Sequence, residues 1–172
     1  MKSKKVIIAL VAIGVLVIVA TVFTLKNENN CDTTDSRELR LREIDRLETA
    51  SIGQELTIDG YIISGYTTEY KQHGLAVFAP TTTGKYEYRT NALRYTNELV
   101  TLHTLIGQTW YDLFWANKPD LDYAEITYTV DGQAVNTMTI NAQDNKILCT
   151  EAPDESYKVQ YYFVDKSGTR YE

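Results

Sequence analysis

Apolar positions along the chain change period twice. From Val6 to Leu25 they are continuous (VIIALVAIGVLVIVATVFTL), from Ser36 to about residue 51 they recur at helical spacing, and from Glu55 onward they alternate with polar ones. Twenty helical residues reach about 30 Å, the thickness of a bilayer hydrocarbon core. Fourteen of those twenty are Val, Ile, Leu or Phe and none is charged, so the run predicts a transmembrane helix over 6–25. Lys2, Lys4 and Lys5 precede it, while only Lys26 follows closely before Glu28, Asp32 and Asp35. Positive residues stay inside, which makes 1–5 the cytoplasmic end and puts the remainder outside the cytoplasm. A secreted protein with a cleaved signal peptide is the alternative; it needs a shorter apolar run and a small-x-small site. Thr21-Val22-Phe23-Thr24-Leu25 offers no such site, so an uncleaved signal anchor is expected.

Beyond the run, Asn27–Asp35 is polar and aperiodic, and 26–35 reads as a linker. Over 36–51 Leu41, Ile44 and Leu47 fall near one face, Ser36 or Asp35 can cap, and Glu38 precedes Arg42 at a favourable spacing. That segment predicts a short amphipathic helix. The texture then turns to β, with 13 tyrosines and many threonines between turn residues. Strands are expected near 55–64, 67–70, 73–79, 85–91, 97–105, 108–116, 122–130, 134–141, 146–150, 157–164 and 169–171. No helix alternates with them. The expected fold over 52–172 is therefore all-β: a β-sandwich, immunoglobulin-like, or a small barrel.

One hairpin tests this reading internally. Ala124, Ile126, Tyr128 and Val130 form one apolar face, and Ala134, Met138 and Ile140 form another. A two-residue turn at Asp131-Gly132 would set Ala134 and Met138 against the wrong face. One extra residue, with Gln133 bulged or in the loop, restores the match, so the longer loop is expected.

Charge narrows the partners. From Asn27 onward 13 basic and 23 acidic side chains leave −10, which repels phosphate backbones and acidic headgroups and argues against nucleic acid. Cys31 and Cys149 would meet an oxidising compartment, where a disulfide between them is possible. Cys31 lies in the polar tether, away from any expected core, and Cys149 lies in a short strand. Few cysteines and no Asn-x-Ser/Thr sequon lean towards a bacterial cell envelope.

Thr109-Trp110-Tyr111-Asp112-Leu113-Phe114-Trp115 is the densest feature. Alternation puts Thr109, Tyr111, Leu113 and Trp115 on one face and Trp110, Asp112 and Phe114 on the other. A strand apolar on both faces belongs at the centre of a stack. Its functional reading is an aromatic platform of Trp110, Tyr111 and Trp115, extended by Tyr61, Tyr66, Tyr70, Tyr86, Tyr88 and Tyr95, that stacks on a sugar ring or a proline. The acidic stretch Pro119–Glu125 lacks the ligand count and glycine of a calcium loop, and His73 and His103 have no ligand-spaced partner. No metal and no cofactor is expected.

The chain order His103 (or His73), Cys149, Arg170 behind an amino-terminal anchor resembles the sortase transpeptidases. The resemblance implies a Cys149 thiolate that attacks a peptide bond and forms an acyl-enzyme. The family's Thr-Leu-x-Thr-Cys motif is replaced here by Asn145-Lys146-Ile147-Leu148-Cys149. With no phosphate loop, nucleophile elbow or signature carboxylate pair, the residues favour non-catalytic binding of a membrane-proximal protein or envelope component.

Overall fold

The computed structural model describes residues 30–94, 99–117, 120–141, 147–153 and 156–171. The cytoplasmic and transmembrane expectations for 1–5 and 6–25 lie outside them, as does Tyr95. No helix among the described residues is long and apolar enough to cross a membrane.

The chain runs α1 (Thr34–Asp45), β1 (Ala50–Ile58), β2 (Tyr61–Thr68), β3 (His73–Pro80), β4 (Tyr86–Arg94), β5 (Leu99–Ile106), β6 (Thr109–Ala116), β7 (Leu121–Val130), β8 (Gln133–Asn141), β9 (Ile147–Glu151), β10 (Lys158–Asp165) and β11 (Arg170–Tyr171). The strands form three antiparallel sheets: a first sheet ordered β1-β2-β3-β4, a middle sheet β5-β6-β9, and an outer sheet β11-β10-β7-β8. The all-β expectation holds at that level.

Three apolar layers hold the stack together. Leu41 of α1 packs with Tyr66, Ala76 and Phe78 on one side of the first sheet. Ile63, Leu75 and Val77 on its other side meet Val100, Leu113 and Trp115 of the middle sheet. Phe114, Ala116 and Leu148 on the far side of the middle sheet meet Ala124, Ile126, Tyr128 and Phe163 of the outer sheet. The middle strand of the middle sheet is β6, so the strand that reads as apolar on both faces is the one packed on both faces.

Local chemistry explains where the elements begin and end. Thr33 caps α1, its hydroxyl accepting from the Ser36 N–H while the Ser36 hydroxyl accepts from the Thr33 N–H. The helix therefore starts earlier than the expected 36–51, and it stops at Arg46, whose left-handed conformation ends it six residues short. Arg37 pins it down, donating to both oxygens of Glu55 (2.9 and 2.8 Å) and to the Cys31 carbonyl (2.8 Å). At the other end Asp45 accepts from the Tyr66 hydroxyl and from Asn91.

Two Asp-Gly turns decide strand number and register. The expected strand over 55–64 is two strands, because Asp59 and Gly60 take φ of 48° and 79° and reverse the chain. Positive φ at both central residues is the tight hairpin turn that Asp-Gly favours. The segment 67–70 is the end of β2 and its turn. At Asp131-Gly132 the same tight turn pairs Val130 with Gln133. The longer loop is thus corrected: the extra residue enters at Val135, where the register shifts. Beyond that bulge Ile126 faces Met138 and Ala124 faces Ile140, which is the apolar match required.

The segment read as a linker joins the fold from Cys31 onward. The Cys31 N–H donates to the Tyr86 carbonyl (2.9 Å) and Asp32 accepts from the Tyr86 N–H (2.8 Å). Cys31 is fully buried in the helix-side layer, not exposed on a tether. Both cysteines are free thiols. Cys149 packs in the next layer, with the first sheet between the two, so the possible bridge is not formed.

Candidate functional site

The turn at Gly107-Gln108 sets the β5–β6 register: Ile106 pairs with Thr109, Leu105 with Trp110, and His103 with Asp112. Alternation then puts Leu105, Trp110, His103, Asp112 and Phe114 on the side of the hairpin that faces the outer sheet. The outer sheet covers only part of that side. Phe114 packs against Tyr161 (ring centroids 4.9 Å apart), and Tyr128 and Tyr157 reach over Asp112. The tip lies past this cover, and Trp110 stays half exposed.

Asp112 organises the site. Its side chain is 8% exposed and accepts from His103 Nδ1 (2.8 Å) through Oδ1, and from the Tyr128 and Tyr157 hydroxyls (2.8 and 2.9 Å) through Oδ2. An ionised carboxylate only accepts, so the proton of the neutral ring belongs on Nδ1 and Nε2 is left as an acceptor. The Tyr157 oxygen lies 3.1 Å from the same Nδ1. Burial, then the hydrogen bond to Asp112 and its charge, push both phenols well above their ordinary pKa. They remain donors across the physiological range, and a buried carboxylate with three donors is the arrangement such a charge needs.

Trp110 lies flat on His103, with ring centroids 4.6 Å apart and planes 1° from parallel. The imidazole is thus held at its edge by Asp112 and at its face by the indole, while 48% of its side chain remains exposed. One face of the indole lies on the imidazole, and half of the residue is exposed. The result is a rigid aromatic step on the surface, stiffened from below by a buried charge.

The residues expected to form a platform divide between two faces. Trp110 is 50% exposed, whereas Trp115 is 1% exposed and packs in the layer against the first sheet. Tyr111 shares the Trp115 face, half-buried, with its hydroxyl 3.5 Å from Glu151. Trp115 is therefore corrected from a ligand-binding residue to a core residue: a methyl group on Gly65 would collide with its indole. Tyr66 and Tyr88 belong to the helix-side layer and do not extend the platform.

The transpeptidase constellation does not converge. Cys149 pairs with Leu113 on β6 and faces the first sheet, while His103 faces the outer sheet. Burial, then Glu151, Asp112 and Asp59, push the Cys149 thiol up to about 12, so it is a small hydrophobe and not a thiolate. His73 lies edge-on to Trp115 (5.8 Å), and burial lowers its pKa. Arg170 sits over the Tyr162 ring at 3.4 Å on β11. Among the described residues the side-chain partners of His103 are Asp112 and Tyr157, and that phenol is itself donated to Asp112.

The missed feature is the His103–Asp112 pair, and its signal was local. The expected strands leave 106–107 for the turn; placing it one residue later, at Gly107-Gln108, sets residue 103 opposite 112 by counting. No known protein family, curated protein or solved structure matches this chain.

Proposed function

We propose that this chain is a single-pass membrane protein of a bacterial cell envelope. Its amino terminus is cytoplasmic, and its sandwich-like β domain is a non-catalytic module that binds a membrane-proximal partner through the Trp110 step. The observation that carries this reading is the half-exposed indole clamped on a histidine that a buried carboxylate holds. A large apolar ring kept rigid at the surface loses little entropy when a partner covers it, which is how aromatic anchors contribute to binding. The placement of Cys149 on the face opposite His103 favours binding over acyl transfer.

The anchor reading sets where the partner lies. Because Cys31 is hydrogen-bonded into the first sheet, only residues 26–30 separate the apolar run from the fold. Five extended residues span at most about 17 Å, so the domain stays beside the bilayer.

The test replaces Trp110 with a photoreactive phenylalanine in the full chain expressed in bacteria, with Leu39 on α1, 51% exposed, as the comparison site. An adduct from position 110, to protein or to lipid, and none from position 39 is the expected result. Equal labelling from both, or none from 110, removes the Trp110 step as the binding surface. Protease added to intact cells should digest the carboxyl-terminal domain; protection there would reverse the topology.

A further inference from the structure

We infer that the partner of the Trp110 step is the interface of the bilayer that anchors the chain: Leu105 and Trp110 rest among zwitterionic headgroups. This inference rests on the anchored reading above and names the partner of that same site.

Four hairpin ends and the chain's entry share one end of the molecule. Cys31 enters beside Tyr86, the first residue of β4, next to the 81–85 turn. The Asp59-Gly60 turn lies at the same end, since a methyl on Gly60 would touch Pro80, the last residue of β3. Ile58 and Tyr61, which flank that turn, pack in the same layer as Tyr111 and Cys149, which brings the Gly107-Gln108 tip to that end. β6 then runs away from it alongside β2, since Trp115 fills the space over Gly65. Asp112 under Tyr128 and Phe114 under Ile126 bring the 131–132 turn there too.

At that end the β5–β6 tip carries the exposed apolar pair: Leu105 and Trp110, cross-strand neighbours that are 40% and 50% exposed. Tryptophan is the side chain that the bilayer–water boundary favours, with an apolar ring and one N–H donor for the wet side. Five residues between the apolar run and Cys31 leave this end nowhere to go but the membrane surface. Asp32, Asp59, Asp131 and Glu151 outnumber Lys85 and Lys158 at the same end and disfavour anionic lipid, so the headgroups that fit are zwitterionic.

The test uses the full chain in phosphatidylcholine vesicles, either ordinary or brominated on the acyl chains. Trp110 and Trp115 are its only tryptophans, so the emission has two sources. Brominated lipid should remove the Trp110 share of that emission, with acrylamide ineffective, and the loss should vanish in Trp110→Phe and shrink in Leu105→Asp. Quenching by acrylamide but not by bromine would put Trp110 in water and overturn the inference while leaving the anchored reading standing. Quenching by neither would mean that protein, such as a second copy, covers the indole, and would overturn it equally. A chain that fails to float with the vesicles at all would instead break the anchored reading, and the inference with it.

Discussion

The two faces of β6 carry the same kind of side chains and meet different fates. Towards the first sheet, Leu113 and Trp115 are closed over and Tyr111 is half-buried. Towards the outer sheet, Phe114 and Asp112 are covered, and Trp110, at the end of the same row, is not. Exposure here follows from where a neighbouring sheet stops, not from the residue or its place in the alternation. The second face also carries a buried carboxylate, which lends the exposed end its rigidity.

The widest gap should separate the tryptophans. Trp115→Ala should cost about 3–5 kcal/mol of unfolding free energy, as a large buried ring lost from a packed layer does. Trp110→Ala should cost under about 1 kcal/mol, since half of the ring is already in water. Urea midpoints at constant slope read both; similar losses would mean that Trp110 is core. Asp112→Ala should come next, at about 2–3 kcal/mol, because it strands a histidine nitrogen, the buried Tyr128 phenol and the half-buried Tyr157 phenol. Freed of its clamp, the Trp110 indole should also lose fluorescence anisotropy, while Trp115 keeps its own. Gly65→Ala should cost about 1–3 kcal/mol by pushing the Trp115 indole aside, with no change at Trp110; a neutral result would show slack in that layer.

The smallest effect concerns acid. Glu69 is partly desolvated, which works against its charge. Its own N–H, those of Thr49 and Glu48, and the Thr49 hydroxyl nevertheless hold it at about 2, below the ordinary 4.5. A depressed carboxyl stabilises the fold above its unfolded value and loses that contribution as pH falls. Stability should therefore decline from about pH 4.5 towards about 2, and the decline should be shallower in Glu69→Gln. Asp165, lowered chiefly by the Ser167 hydroxyl and also by the N–H groups of Thr169 and Ser167, adds to the same trend.

Much of the fold is legible in the sequence. Period-two alternation marked most strands to within a residue or two, since side-chain direction along a strand is a local property. Two features that alternation alone does not show still carry local signals: the Asp-Gly at 59–60 that divides one expected strand, and the turn at Gly107-Gln108 that sets His103 opposite Asp112. At the Asp131-Gly132 hairpin the demand for one extra residue was sound. Its place, in a bulge at Val135, follows from the tight Asp131-Gly132 turn, which leaves the extra residue to enter further along the strand.

What the sequence determined by itself is therefore the set of strands, the turns between them and the strand that needs cover on both faces, because each follows from residues close in the chain. Tertiary packing decided which tryptophan is core and which is surface, why Cys31 is buried, and why Cys149 and His103 face opposite ways. Those outcomes depend on which sheet lies over which residue and how far it extends. That is a matter of contacts between segments up to about a hundred residues apart, and no local pattern encodes it.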